Sequence, residues 1–376
     1  MVRYCAGVAD QSRDPIELGY ADETHALVGV RLVQDIGLPS DRIDFAYDAV
    51  GRAWRFVLPP VAVRRLEYRF ELRHPDGRTD IVCDPSNPTI VHSAYGNKSV
   101  LEFPGYRPPE WLDMPAAPGT WRDLPVASRA LGATVAIRVW SPTALSAAGI
   151  LLAHDGGEYD RLARLGHYSA AMIAAGRVPP HHLVLLSPVE RNEWYSANPA
   201  YARALRDDVL PRLRADIGRE PIVALGASLG ALALLHAHGH TPFAGLFLQS
   251  GSFFQHRFDS QESGFARYRR VVRFVGAVRR QASVGPAVPT VLTCGAAEEN
   301  LANNRAMAAA LAGSGYPVGL VEVPDAHNFT AWRDAWHPHL ADLAGQCWDE
   351  AAVRGSAWTV AASVGSSTDG ASDKRG

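Results

Sequence analysis

Lysine is almost missing from this chain: Lys98 and Lys374 are the only two in 376 residues, and arginine supplies the rest of the positive charge. The skew is read as codon usage and not as function. The net charge is -2, so nothing draws the chain to a phosphate backbone, and nucleic acid is not an expected partner. Cysteine is scarce too. Cys5, Cys83, Cys294 and Cys347 are scattered without paired spacing, which argues against a disulfide framework or a zinc knuckle. Long apolar runs are absent: no stretch of about 18 apolar residues occurs, and the first seven residues lack the apolar core of a signal segment. A soluble, cytoplasmic protein without a membrane partner is therefore expected. No metal or cofactor is expected either. The one metal-like cluster, His236-Ala237-His238-Gly239-His240, falls where a helix should end, a position that suits histidine for its dipole. No internal repeat is present.

What the chain does have is a buried strand, a sharp turn and a small-residue helix around one serine. Val223-Ala224-Leu225-Gly226-Ala227-Ser228-Leu229-Gly230 is a G-x-S-x-G turn in the context that gives that pattern meaning. The turn is too tight for side chains at its flanks. It lifts the Ser228 hydroxyl above the sheet edge and aims a helix N-terminus at it, making the Leu229 N–H a natural oxyanion donor. A plain Gly-Ser loop entering a helix is the structural alternative.

A nucleophilic serine needs a base, and the base needs an orienting acid. Residues 289–294 read as a buried parallel strand, followed by Glu298 and Glu299. Carboxylates just past a strand's C-terminal end lie where active sites of open α/β sheets gather. Glu298 is the expected acid and Glu299 its rival; both could instead cap the helix that follows. Residues 318–323 form the next strand, and His327 in the loop after it is the expected base. An earlier apolar strand ends in His154-Asp155-Gly156-Gly157, and Gly156 is the candidate for a second backbone oxyanion donor, with an ordinary strand exit as the alternative.

Length suggests two domains, and 47% hydrophobic content allows a sizeable core. The first part reads as a small all-β sandwich: short strands at 26–33, 44–47, 53–58 and 65–74, then a Pro75-Asp76-Gly77-Arg78 hairpin turn. The sandwich is assigned to residues 1–113, with an extended, Pro-rich linker near its end. Residues 119–350 alternate strands and helices as in a doubly wound, mostly parallel α/β sheet. Pro338 should break the closing helical region. Residues 253–285 look irregular and basic, either a solvated face or a lip for an anionic ligand. The Ser/Gly/Ala-rich tail, 355–376, is expected to be disordered. Arg191 follows the strand at 182–187 on the catalytic edge, so it can hold anionic oxygens of a substrate; a salt bridge to Glu190 or Glu193 is the alternative.

These residues resemble a known family. Residues 154–156, Arg191-Asn192-Glu193-Trp194, the Ser228 turn, Gln249-Ser250-Gly251-Ser252 and residues 295–298 are similar to the esterase D branch of α/β-hydrolases. Residues 66–70, Asp84-Pro85-Ser86-Asn87-Pro88 and Phe103-Pro104-Gly105-Tyr106 resemble the immunoglobulin-like domain of enterochelin esterases. The resemblance implies an α/β-hydrolase preceded by an immunoglobulin-like sandwich. It also implies hydrolysis of ferric siderophore esters such as trilactones, in the cytoplasm, to release iron. A general or feruloyl-type carboxylesterase is the second expectation, and a non-catalytic binding protein on a hydrolase fold the third. The expected partner is a small-molecule ester such as a ferric siderophore, and the oligomeric state stays open. The sandwich is expected to govern substrate choice and not the chemical step.

Overall fold

A computed structural model describes residues 2–5, 15–143, 147–218, 221–280 and 284–349. The expected tail at 355–376 lies outside them. Strands with every residue buried, such as Gly149–His154, Ile222–Ala227 and Gly245–Gln249, have apolar side chains on both faces and must be covered on both. They form the middle of a ten-stranded sheet. Across it run Val2–Cys5, Val318–Val323, Thr290–Gly295, Gly245–Gln249, Ile222–Ala227, Gly149–His154, His181–Ser187, Ala133–Pro142 and Gly119–Asp123, with Val126–Ser128 also on Ala133–Pro142. The strands are parallel from Val2–Cys5 to His181–Ser187 and antiparallel beyond.

Helices cover both faces. Leu229–His238, Tyr268–Arg279 and Leu301–Gly313 bury one core with Leu246, Leu248 and Leu292. Gly156–Ala163, Leu165–Ala174 and His339–Trp348 bury the other with Leu151, Leu185 and Phe247. Strand Gly149–His154 has His181–Ser187 on one side and Ile222–Ala227 on the other. The chain reverses its winding direction there, and the crevice at the C-terminal ends of these strands is where doubly wound sheets bind ligands.

The sandwich is built from alternation. In Ala53–Leu58, Trp54, Phe56 and Leu58 are buried while Arg55 and Val57 are exposed, so one face turns inward. This strand lies between Ile16–Ala21 and Ala46–Asp48. The facing sheet carries Gly29–Gln34, Arg65–Arg73, Gly96–Glu102 and Ile90–Ser93, with Thr79–Val82 on Arg65–Arg73. Gly77, at φ +83, turns the hairpin between the last two.

Three expectations need correction. Residues 2–5 do not belong to the sandwich: they add a parallel edge strand to the large sheet, pairing Val2 with Gly319. The Pro-rich segment is no free linker. Tyr106 donates a hydrogen bond to Asp334 at 2.9 Å, and Trp111 is buried against Tyr168 and Trp336. The stretch at 253–285 contains an amphipathic helix, Tyr268–Arg279, that buries Val271, Val275 and Val278. Its apolar spacing is masked in the sequence by the arginines between.

Candidate active site

Ser228 sits at φ 55, ψ -125 between strand Ile222–Ala227 and helix Leu229–His238, a backbone region that L-residues rarely adopt. The strain is held from both sides. The Ser228 N–H donates to Gln249 O at 2.9 Å, and Ser252 N–H donates to Ser228 O at 3.1 Å. Gly226 is required by close approach: a Cβ there would lie 2.8 Å from the carbonyl carbon of Gly230. Beneath the turn, His154 is fully buried. Its Nδ1 donates to Gly230 O at 3.1 Å and its Nε2 accepts from Tyr201 Oη at 2.9 Å. Burial lowers its pKa to about 3, so it is a neutral strut under the helix.

Glu298 and His327 approach each other from the ends of adjacent parallel strands, Thr290–Gly295 and Val318–Val323. His327 Nδ1 is 2.8 Å from Glu298 Oε2. The other oxygen of Glu298 accepts from Ser250 Oγ at 2.6 Å and from the Gly295 N–H at 2.8 Å. Ser250 Oγ in turn accepts from Trp332 Nε1 at 2.9 Å. The Glu298 side chain is 1% exposed and fully bonded, whereas His327 remains 31% exposed. Burial alone would lower the His327 pKa; the Glu298 charge and hydrogen bond outweigh it, with help from Asp35, and the net shift is upward. Glu299 is exposed, with one long contact from Gln261 Nε2 at 3.4 Å. Asp325 makes no hydrogen bond to His327. It is buried among Ala326 N–H and Asn328 Nδ2 donors, and burial pushes its carboxyl up to about 7.

Ser228 and His327 line two neighbouring cavities of about 450 and 540 Å³. In this resting arrangement Ser228 Oγ is 3.0 Å from Ser252 Oγ. Leu229 opens its helix at the wall of the larger cavity. Gly156 has a packing role of its own. It is buried and lines neither cavity, and a Cβ on it would come within 2.5 Å of Leu185 Cα, so close helix–strand packing accounts for the glycine. The wall at this loop is Asp155, whose own N–H donates to Tyr195 Oη at 3.3 Å. Arg191 does line the smaller cavity, but neither Glu190 nor Glu193 is its partner. Its guanidinium grips Asp155, with Nη2 at 2.7 Å and Nε at 2.9 Å from the two oxygens. Glu193 is taken by Arg267 and Arg270.

Sequence reasoning expected the sandwich to govern substrate choice but named none of the residues it brings to the site. Asp35 lines both cavities, and Tyr95 and Lys98 line the smaller one. Lys98 Nζ is 2.6 Å from Asp35 Oδ2. The scarcity of lysine was the available signal, yet only the folded chain brings Lys98 beside Ser228.

The catalytic half, residues 128–343, matches the Esterase family model, described as putative esterase. The chain belongs to this esterase family. It is a carboxylic ester hydrolase of α/β-hydrolase fold. Several solved structures share the whole two-domain arrangement. The enterochelin esterase of Shigella flexneri aligns with TM-score 0.70 at 18% identity, over 89% of this chain and 92% of that one. The same organism's enterobactin esterase, solved in the presence of enterobactin, aligns with TM-score 0.68 at 19% identity, over 89% and 94%. The ferric enterobactin esterase of Salmonella typhimurium gives 0.68 at 20%, over 87% and 94%. No curated protein matches the esterase by sequence. No helix among the described residues is long and apolar enough to cross a membrane.

Proposed function

We propose that this esterase uses Ser228, His327 and Glu298 as a catalytic triad to open the ester bonds of a multi-ring siderophore ester such as a trilactone. The observation that carries the triad is the 2.8 Å contact between His327 Nδ1 and the buried Glu298, on the wall that also holds strained Ser228. Glu298 fixes Nδ1 as the donor, which leaves Nε2 free to take a proton. Ser228 Oγ exchanges its Ser252 partner for His327 when substrate enters; such bonds often tighten only in the bound complex. Oγ then attacks the carbonyl as His327 accepts its proton. The Leu229 N–H, at the positive end of its helix, holds the developing oxyanion. The alcohol leaves with the proton from His327, and water cleaves the acyl-enzyme by the same path in reverse.

The substrate class rests on the two-domain arrangement shared with the siderophore esterases and on the cavity beside Ser228, walled by Tyr95 and Lys98 of the sandwich. A large ester draws its binding energy from surfaces remote from the reacting carbon. Release of iron in the cytoplasm is the role this reading gives the reaction. A hydrolysis panel tests it: a catecholate trilactone with and without iron, a hydroxamate ester, feruloyl sugars and p-nitrophenyl acetate. Cleavage of p-nitrophenyl acetate with every trilactone untouched rejects the siderophore reading.

A further inference from the structure

Every cation on the walls of the two cavities is already matched to a carboxylate. Lys98 Nζ is 2.6 Å from Asp35 and 3.7 Å from Glu67. Arg191 is engaged by both oxygens of Asp155. Just behind the wall, Arg65 is 2.6 Å from Glu67. Three further carboxylates remain: Glu158 in the smaller cavity, Glu262 and Glu299 in the larger. None of these has an ion-pair partner among the described residues, and no lysine or arginine lines the larger cavity. The Glu262 carboxyl titrates above its ordinary value, through burial first, with the charges of Glu299 and Asp259 adding to it. The arginines at 253–285 bring no relief, since none lines either cavity. Both cavities open on Ser228 and His327, so the carboxylates face the space a substrate must occupy.

We infer that this cleft selects esters that are uncharged or cationic, and hence that the iron-free siderophore ester is a better substrate than its ferric complex. The inference rests on the esterase reading above and narrows it: the site and the ester chemistry stand, while iron release gives way to hydrolysis of the iron-free ester. In a tris-catecholate complex six phenolate oxygens face one trivalent ion, leaving net negative charge. Iron-free catechols keep their protons at neutral pH and carry none. A polyanion in this cleft meets surplus carboxylate and no unpaired cation, a repulsion that low-dielectric walls focus.

Two arms test this on the full chain. In the first, kcat/KM is measured at pH 7 for one catecholate trilactone with and without iron. The iron-free form should be faster by about tenfold, a charge effect of ordinary size at cleft distances, and the ratio should shrink in high salt. In the second, p-nitrophenyl hexanoates ending in methyl, carboxylate or trimethylammonium are compared. The order should be ammonium, then methyl, then carboxylate, and the double variant Glu262→Gln/Glu299→Gln should compress it. Equal rates across the three hexanoates, or a faster ferric trilactone, overturns the inference. Trilactones left uncut while the hexanoates keep the expected order reject the siderophore reading and leave the charge selection standing.

Discussion

At the scale of single residues the site makes sharp predictions. Ser228→Ala should reduce ester hydrolysis on the order of 10³-fold or more while the far-ultraviolet circular dichroism stays unchanged; near-wild-type turnover by the purified variant would remove Ser228 as nucleophile. Glu298→Gln should cost on the order of 10²-fold or more in kcat, and Glu299→Gln far less, because Glu298 alone holds His327 and Ser250. The pH profile carries a separate sign. In the proposed triad His327 must be neutral to accept the serine proton, and its pKa is raised. Activity should therefore fall on acidification through a midpoint above about 6.5, the ordinary histidine value. Removing an interaction that raises the pKa must move the midpoint down. Asp35→Asn should do so in kcat/KM for a small neutral ester, where a purely structural role would lower the plateau and leave the midpoint in place.

At the scale of elements, the Ser228 elbow tolerates no added volume. Gly226→Ala would press a methyl against Gly230 and Leu234 and should lower stability by about 1–3 kcal/mol, read as a shifted urea midpoint at constant slope. Elements such as this one were legible beforehand because their signals are local. A continuous apolar run marked the buried strand at Ile222–Ala227, and Pro338 separates Phe329–Asp334 from His339–Trp348 as its ring requires. Strand Gly96–Glu102 was not legible. It carries Asn97, Lys98 and Ser99, and its strand character comes from pairing with Arg65–Arg73 more than from propensity. The helix Tyr268–Arg279 hid for the same reason, its apolar stripe diluted by arginine. Gly156 was ambiguous on paper, where one glycine serves packing or an oxyanion equally well, and the Leu185 backbone behind it now supplies a packing reason.

At the scale of the whole molecule, the two domains share the proposed catalytic apparatus more closely than the division into chemistry and recognition supposes. Ala326, next to His327, is buried in the sandwich core, and Ala297, next to Glu298, packs against that core. The Arg64 N–H donates to Pro324 O at 2.8 Å. Both loops that present Glu298 and His327 thus rest on the sandwich. The interface also holds Asp325, whose carboxyl is pushed up to about 7 by burial, opposed by Arg65. A carboxyl raised on folding favours the folded state below its unfolded pKa and loses that contribution as pH rises through the folded value. The fold should therefore lose stability between about pH 4 and pH 7 through this group, and Asp325→Asn should flatten that decline in denaturation curves taken across the range. An unaltered slope would exclude Asp325 as its source.

The scarcity of lysine turns Lys98 into a reporter. Among the described residues it is the sole side-chain amine, 12% exposed and pinned to Asp35 at the mouth of the reaction cleft. An amine-acylating reagent applied to the native enzyme has one interior target, and a peptide mass shift at Lys98 registers whether the cleft was open when the reagent arrived. A tight, slowly turned-over ester would shield that nitrogen, so occupancy could be titrated by mass spectrometry on the unaltered chain, without a chromophore and without turnover.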